Sequence, residues 1–154
     1  METNKAEAAR LERIEDCISF VAGKAAQQVT RRARELLAPF GVTPAQYAVL
    51  KVLAETGGLS GAELGQRMVL DSASITGVVD RLEALGLAER RADPTDRRAQ
   101  QIFASARTGE LLAPMDAAMD RLNAEAAAVL GGQDGAFLQR LRQLGDQRVW
   151  KEHV

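Results

Sequence analysis

Apolar residues recur at helical spacing over both ends of the chain. Over residues 6–38 they follow a period of about 3.6, which predicts one long first helix. Two more helical stretches, residues 107–130 and 133–150, form a C-terminal arm over about 107–150, and Pro114 predicts a kink or a later start in the first. Amphipathic helices of this length would leave apolar stripes uncovered in a monomer. The pattern therefore predicts a mainly α-helical fold whose long terminal helices build a homodimer.

The middle of the chain, about residues 43–104, contains shorter elements with distinct start signals. Thr43–Gln46 and Ser60–Glu63 each match a capping box, in which two side chains satisfy free backbone N–H groups at a helix start. The two boxes predict two successive helices. Because a helix N-terminus attracts anions, Ser60 is also a candidate for contact with a DNA phosphate.

A third short helix begins at Ser72, with Asp71 or Ser72 as its cap, and Gly86 marks its end. After it, residues 87–91 and 99–104 predict two strands around a turn-rich segment. This order predicts a winged helix-turn-helix with a two-stranded wing. In such a fold the helix from Ser72 enters a major groove, and the tip of the hairpin reaches a neighbouring minor groove.

The helix from Ser72 has one apolar stripe for the core and one small, polar face. Hydroxyls on that face can bond phosphates or bases, and a small face permits close approach to a groove. The helix has no Arg, Asn or Gln in its first two turns, so shape and wing contacts should supply much of the specificity. The candidate DNA-contacting residues are Ser72, Ala73, Ser74, Thr76 and Gly77, with Arg81 at the edge.

Composition indicates a single globular domain over residues 1–154, with 46% hydrophobic and 27% charged residues. The net charge of −1 gives no general attraction to DNA, so binding has to depend on local charge. No stretch has the roughly 18 apolar residues of a membrane helix, and the N-terminus lacks the apolar part of a signal peptide. We therefore expect a cytoplasmic protein without a membrane partner. The local charge is a cluster of arginines on the predicted hairpin: Arg90, Arg91, Arg97 and Arg98.

Few residues suit catalysis or metal binding. The chain has one cysteine, Cys17, and one histidine, His153, which excludes an internal disulfide and argues against a zinc site. It has no nucleophile–base–acid constellation and no phosphate-binding loop. We therefore expect no enzymatic activity and no cofactor.

Residues 59–109 resemble the MarR family of bacterial transcription regulators. In that family a D-R-L recognition-helix end, here Asp80–Leu82, runs into a wing with a D-x-x-D-R-R tip, here Asp93–Arg98. The resemblance implies a homodimeric, sequence-specific repressor on a pseudo-palindromic DNA operator. It also implies release by a small effector, for which an aromatic or phenolic acid or its coenzyme A thioester is the expected class. A winged-helix module used only for protein contacts remains the alternative.

The resemblance also implies roles at the wing tip. Asp96 would brace an arginine; Arg98 would enter the minor groove, and Arg97 would contact a phosphate or take part in the brace. Arg81 is equally suited to a salt bridge between helix and wing and to a DNA contact. Cys17 is interpreted as structural, because the two tyrosines that accompany a hydroperoxide-sensing cysteine in this family are missing.

An effector site is expected where the long helices meet the DNA-binding lobe. The basic run from Lys24 to Arg34 would supply a cation for an anionic effector, although a solvated helix face is the more ordinary explanation of the run. Tyr47 itself also suits the core. The candidate effector residues are Val21, Ala25, Arg32, Tyr47 and Met115.

Overall fold

Seven α-helices and three short strands make up the described residues, 11–132 and 135–153, of the computed structural model. A three-stranded antiparallel sheet in the order β1-β3-β2 lies beside the helices. In chain order the elements are α1 (Ile18–Leu37), α2 (Pro44–Thr56), β1 (Leu59–Ser60), α3 (Gly61–Met68), α4 (Ser72–Ala84), β2 (Ala88–Ala92), β3 (Gln100–Ala104), α5 (Ala106–Val129), α6 (Ala136–Gly145) and α7 (Gln147–His153). The predicted winged helix-turn-helix is confirmed, and its two-stranded hairpin gains β1 as a third strand.

The first helix is shorter than predicted. Residues 6–10 lie outside the described residues, and a continuous helix over 11–38 is wrong. Ile14–Asp16 forms a single 3-10 turn, and Cys17 then has an extended backbone with ψ of 116°. An extended residue cannot continue the i to i−4 hydrogen bonds of a helix, so α1 begins only at Ile18.

The C-terminal arm also differs from the prediction. The later start at Pro114 is wrong, because α5 is continuous from Ala106 to Val129 with the proline inside it. The single last helix is wrong as well, because Asp146 has an extended backbone and separates α6 from α7. The Asp146 carboxylate accepts hydrogen bonds from the backbone N–H (2.9 Å) and guanidinium (2.8 Å) of Arg148, which stabilises the break.

The buried core lies within the central lobe, residues 43–104, and includes side chains from α1 and α5. Thr43 caps α2 through the predicted box, with its hydroxyl 3.2 Å from the backbone nitrogen of Gln46. Met115 of α5 is fully buried against the lobe, and α1 packs along α5. The lobe and the long helices therefore share one core. Its fully buried aliphatic residues are Leu37, Val49, Leu50, Leu53, Leu64, Ile75, Val79 and Leu82.

Large apolar side chains remain exposed on the long helices, as the amphipathic pattern predicts. Ile18 on α1 is 64% exposed, and Phe137 on α6 is 48% exposed. In the described part of the chain, no single helix is long and apolar enough to span a membrane. The pair Ile18–Phe40 and Pro44–Thr56 meets both requirements only when taken together, across a 69° bend.

Candidate nucleic-acid interface

The turn between α3 and α4 sets the angle of α4, the candidate recognition helix. Ser60 caps α3 through the predicted box: its hydroxyl accepts from the Glu63 N–H at 3.2 Å, and its own N–H donates to the Glu63 carboxylate at 2.8 Å. At the other end of α3, Val69 has a left-handed backbone with φ of 53°. Gly65 lies beneath this turn, where a Cβ atom would be only 3.0 Å from the carbonyl oxygen of Leu70. A side chain at position 65 would therefore crowd this backbone, which would have to shift by a few tenths of an ångström.

The start of α4 is held by Asp71. Its carboxylate accepts hydrogen bonds from the backbone N–H of Ser74 at 2.8 Å and from the Ser74 hydroxyl at 3.1 Å. Both bonds lower the pKa of Asp71 below its usual value, and the bond from the backbone N–H has the larger effect. The Thr76 hydroxyl donates to the carbonyl oxygen of Ser72 at 2.8 Å. Ser74 and Thr76 would therefore meet DNA as acceptors unless their hydroxyls rotate.

The outer face of α4 is exposed and small. Ser72, Ala73, Ser74, Thr76 and Arg81 are all exposed, and Gly77 is half-buried. A Cβ atom at Gly77 would have no other heavy atom within 4 Å. The helix thus offers an open surface to a groove, while Ile75, Val79 and Leu82 hold its other face in the core.

The three-stranded sheet separates two sides of the wing. Leu59 of β1 pairs with Ile102, and Arg90 of β2 pairs with the same residue from the other side. Side chains alternate between the faces of a strand, so Ala88, Arg90 and Ile102 share the inner face towards the helices. Ala88 and Ile102 are buried there.

Arg90 ties the wing to the recognition helix. Its Nη2 donates to the Asp80 carboxylate at 2.7 Å, its Nη1 donates to the Glu83 carboxylate, and its backbone N–H donates to Glu83 at 3.0 Å. Burial lowers the pKa of Arg90 and the bonds to Asp80 and Glu83 raise it, with a net upward shift. Arg81 makes no ion pair among the described residues. Of its two predicted roles, the salt bridge between helix and wing is therefore wrong, because Arg90 makes that bridge.

Arg91 lies on the outer face of the wing. It pairs with Glu89 on its own strand, and its guanidinium carbon lies 4.5 Å from the centre of the Phe103 ring. Phe103 in turn covers Gly58, where a Cβ atom would be 2.4 Å from the ring. Two of the four predicted wing arginines are therefore engaged within the protein.

The tip of the wing is a turn built on two aspartates. Asp93 accepts hydrogen bonds from the N–H and the hydroxyl of Thr95 at 2.8 and 2.7 Å, which lower the pKa of Asp93. Asp96 accepts a hydrogen bond at 2.9 Å from the backbone N–H of Arg98. The brace predicted for Asp96 thus acts on the backbone of Arg98 rather than on a guanidinium. Within the described ranges Arg97 and Arg98 are exposed and form no ion pair.

The end of α4 is anchored to the start of α5, and this the sequence analysis missed. The hydroxyls of Ser105 and Thr108 donate to the carbonyl oxygens of Gly86 and Leu87 at 2.7 and 2.6 Å. Arg107 donates to the carbonyl oxygen of Leu85 at 3.1 Å. These bonds join the carbonyl groups of the turn after α4, Leu85–Leu87, to the first turn of α5. The only signal in the sequence is a pair of hydroxyls and an arginine just after the second strand.

In the described part of the chain, the candidate effector residues do not share one cavity. Val21 and Ala25 line a shallow depression on α1, where the Lys24 ammonium lies 5.5 Å from the centre of the Phe20 ring. Met115 is fully buried in the core. Of the five candidates, only Val21 and Ala25 line this depression.

Arg32 is engaged by carboxylates. Its Nε and Nη2 donate to Glu125 of α5 at 2.7 and 2.9 Å, and its Nη1 donates to Glu35 at 2.8 Å. The hydrogen bond from Arg32, opposed by burial and helped by Arg121, lowers the pKa of Glu125 to about 2. Arg32 is thus paired with Glu125 and Glu35, and an anionic effector at Arg32 would have to compete with these two carboxylates.

Tyr47 joins the lobe to the arm through Asp116. The Tyr47 hydroxyl donates to the Asp116 carboxylate at 2.7 Å, and the Lys51 ammonium donates to it at 2.6 Å. Burial and the hydrogen bond to Asp116 raise the pKa of Tyr47. Burial raises the pKa of Asp116, but the bonds from Lys51 and Tyr47 outweigh it and lower that pKa overall. This cluster links α2 to α5 at the edge of the core.

Sequence comparison agrees with the geometry. The sequence model of the MarR family matches residues 40–99. The HTH-type transcriptional regulator TtmR of Methylorubrum extorquens (strain PA1) is 36% identical over 129 residues, which cover 84% of this chain and 62% of that protein. This chain thus spans less than two thirds of TtmR.

Solved structures have the same fold. A probable transcriptional regulator from Pseudomonas aeruginosa is 34% identical, with a TM-score of 0.80 over 87% of this chain and 100% of that one. CouR from Rhodococcus jostii RHA1, bound to p-coumaroyl-CoA, is 28% identical, with a TM-score of 0.75 over 86% of this chain and 92% of that one. The fold and the exposed helix–wing surface define a winged helix-turn-helix protein. The chain belongs to the MarR family of transcriptional regulators.

Proposed function

We propose that this chain is a sequence-specific DNA-binding regulator that acts as a homodimeric repressor. The observation that carries the proposal is the combination of an exposed, small-faced α4 with a wing whose tip presents Arg97 and Arg98 without carboxylate partners among the described residues. In winged helix-turn-helix proteins such a helix enters the major groove. Arginine at a wing tip suits the negative potential of a narrow minor groove. Ser60 remains a proposed phosphate contact at the start of α3.

A second copy of the chain would cover the exposed apolar helices. An apolar groove of about 410 Å³ runs between α1, α5 and α6. Monomeric proteins rarely leave a contiguous apolar surface of this kind open to water. A two-fold dimer would present two copies of α4 to a pseudo-palindromic operator. The residues that line the groove include Val29, Leu122, Leu130, Phe137, Leu138 and Leu141.

Two measurements on selected DNA test this proposal. A duplex recovered from a random-sequence pool should bind with an affinity that falls steeply with salt, by a slope of about −0.9 for each phosphate contact. Footprinting should show two protected half-sites centred roughly 34–36 Å apart, which is one helical turn. Failure to select any duplex would favour the alternative, a module for protein contacts only. Protection of a single half-site would contradict the dimeric arrangement.

The proposed effector is an aromatic or phenolic acid or its coenzyme A thioester. CouR, which is bound to p-coumaroyl-CoA, supports this class by its similarity to the chain. Val21 and Ala25 offer apolar contact on α1, and the neighbouring Lys24 is the cation that this depression offers in place of Arg32. Tyr47 and Met115 lie at the junction of α2 and α5, which a ligand would have to move in order to change the position of the lobe.

Linkage gives a direct test of the effector. A compound that prefers the DNA-incompetent form a hundredfold supplies about 2.7 kcal/mol of coupling. Calorimetry with p-coumarate and with p-coumaroyl-CoA, each with and without the selected duplex, should therefore show binding that weakens when DNA is present. Equal affinity in both conditions would exclude the compound as an inducer, because coupling between two ligands is reciprocal. Lys24→Ala should weaken binding, and Arg34→Ala is the matched control on the same helix.

A further inference from the structure

The wing and the recognition helix are joined by one side chain with two carboxylate partners. Arg90 on β2 reaches Asp80 and Glu83, which lie one turn apart on α4. Its side chain is 23% exposed, and that of Asp80 is 60% exposed. A guanidinium presents its donors in a rigid planar fork, so binding two carboxylates at once fixes direction as well as distance. The Glu83 carboxylate also accepts the backbone N–H of Arg90, which holds the strand itself.

Asp80 needs this partner for a second reason. It is exposed on α4, the helix that the proposed function places in the major groove. An unpaired carboxylate at that position would repel phosphate. In the structure the Arg90 guanidinium neutralises it from the side of the protein.

We propose that Arg90 is a positioning residue that holds the wing against α4, so that the two DNA-reading elements act as one rigid unit. The proposal rests on the proposed function. It assigns to Arg90 a role different from that of the other arginines of the wing, because its donors face carboxylates of α4, whereas Arg91 pairs with Glu89 on its own strand. Affinity gained by Arg98 in the minor groove then depends on Arg90, which does not itself touch DNA.

A double-mutant cycle on the full chain tests the inference, with the duplex selected by the wild-type protein as the probe. Arg90→Ala should weaken binding. In the Arg98→Ala background it should leave the slope of log K against log [salt] unchanged, whereas loss of a phosphate contact lowers that slope by about 1. Arg98→Ala should cost less affinity in the Arg90→Ala protein than in the wild type. The ratio of the two fold losses caused by Arg98→Ala, in the wild type and in the Arg90→Ala protein, should lie between about twofold and 150-fold, the range for residues that share one network.

Arg91→Ala is the matched control. It removes the same charge from the neighbouring position, but Arg91 pairs with Glu89 on the outer face and does not contact α4. Its effect and that of Arg98→Ala should therefore be additive. Arg90→Lys retains the charge and guards against misfolding of the alanine variant. A single ammonium cannot reproduce the planar fork, so this variant should still lose coupling to Arg98.

The outcomes are distinguishable. Full recovery of affinity and coupling in Arg90→Lys would show that charge alone matters and would overturn the inference. A salt slope that Arg90→Ala lowers further in the Arg98→Ala background would make Arg90 a phosphate contact and would overturn it as well, as would additivity of Arg90→Ala with Arg98→Ala. If the wild type selects no duplex, the proposed function itself fails.

Discussion

Replacing Arg98 by alanine is expected to weaken binding to the selected duplex by about 1–3 kcal/mol, the usual cost of removing a base-reading arginine. The reason is geometric. Arg98 is exposed at the wing tip, and its backbone N–H is held by Asp96, so the side chain leaves the turn from a fixed position. A guanidinium placed in a narrow minor groove gains from the concentrated negative potential there. The measurement is a shift assay at matched salt.

Arg97→Ala is the comparison for this prediction. A phosphate contact carries no sequence information, so its loss should weaken binding to all duplexes uniformly and reduce the salt slope by about 1. Arg98→Ala should additionally lose preference for A·T pairs at the wing position. Unchanged affinity of Arg98→Ala would sink the assignment of Arg98 to the minor groove. Both variants should keep the fold, because neither side chain is part of the core.

Replacing Leu141 by aspartate is expected to dissociate the dimer and, with it, to abolish tight operator binding. Leu141 lies on α6, is 45% exposed and lines the apolar groove between α1, α5 and α6. Burying an uncompensated charge costs about 3–5 kcal/mol, and a two-fold interface contains the substitution twice. Sedimentation of the variant should show a monomer, and footprinting should lose the paired half-sites.

Gln139→Asp provides the control on the same helix. It introduces the same charge, but residue 139 is exposed on the opposite side of α6 from Leu141. This variant should remain dimeric and bind DNA with an affinity close to that of the wild type. Dimerisation of Leu141→Asp at the wild-type concentration would show that the groove is not the interface.

The local elements of the lobe follow from the sequence because their signals are local. The boxes at Thr43 and Ser60, the Asp71 cap and the hairpin after Gly86 each involve groups within a few residues of one another. Such contacts form in the same way wherever the element packs. The apolar stripe of α4 likewise sets its inner face, so the small outer face follows by exclusion.

The breaks in the long helices were not predictable from spacing. Apolar periodicity continues through Cys17 and Asp146, yet both residues have an extended backbone. Periodicity reports which side of a helix would be apolar; it does not report where the chain bends to pack. In contrast, Pro114 carries a breaking signal that the structure tolerates within α5.

The partners of the charged residues were decided only by the tertiary structure. The sequence by itself determined the family resemblance, the order of the elements and the presence of arginines on the wing. It could not predict that Arg90 pairs with Asp80, because that pairing depends on which face of the strand meets α4. Arg32 is the same case, since Glu125 lies 93 positions further along the chain and meets it only when α1 packs on α5. Side-chain charge is a local property, whereas its pairing depends on contacts between elements that are distant in sequence.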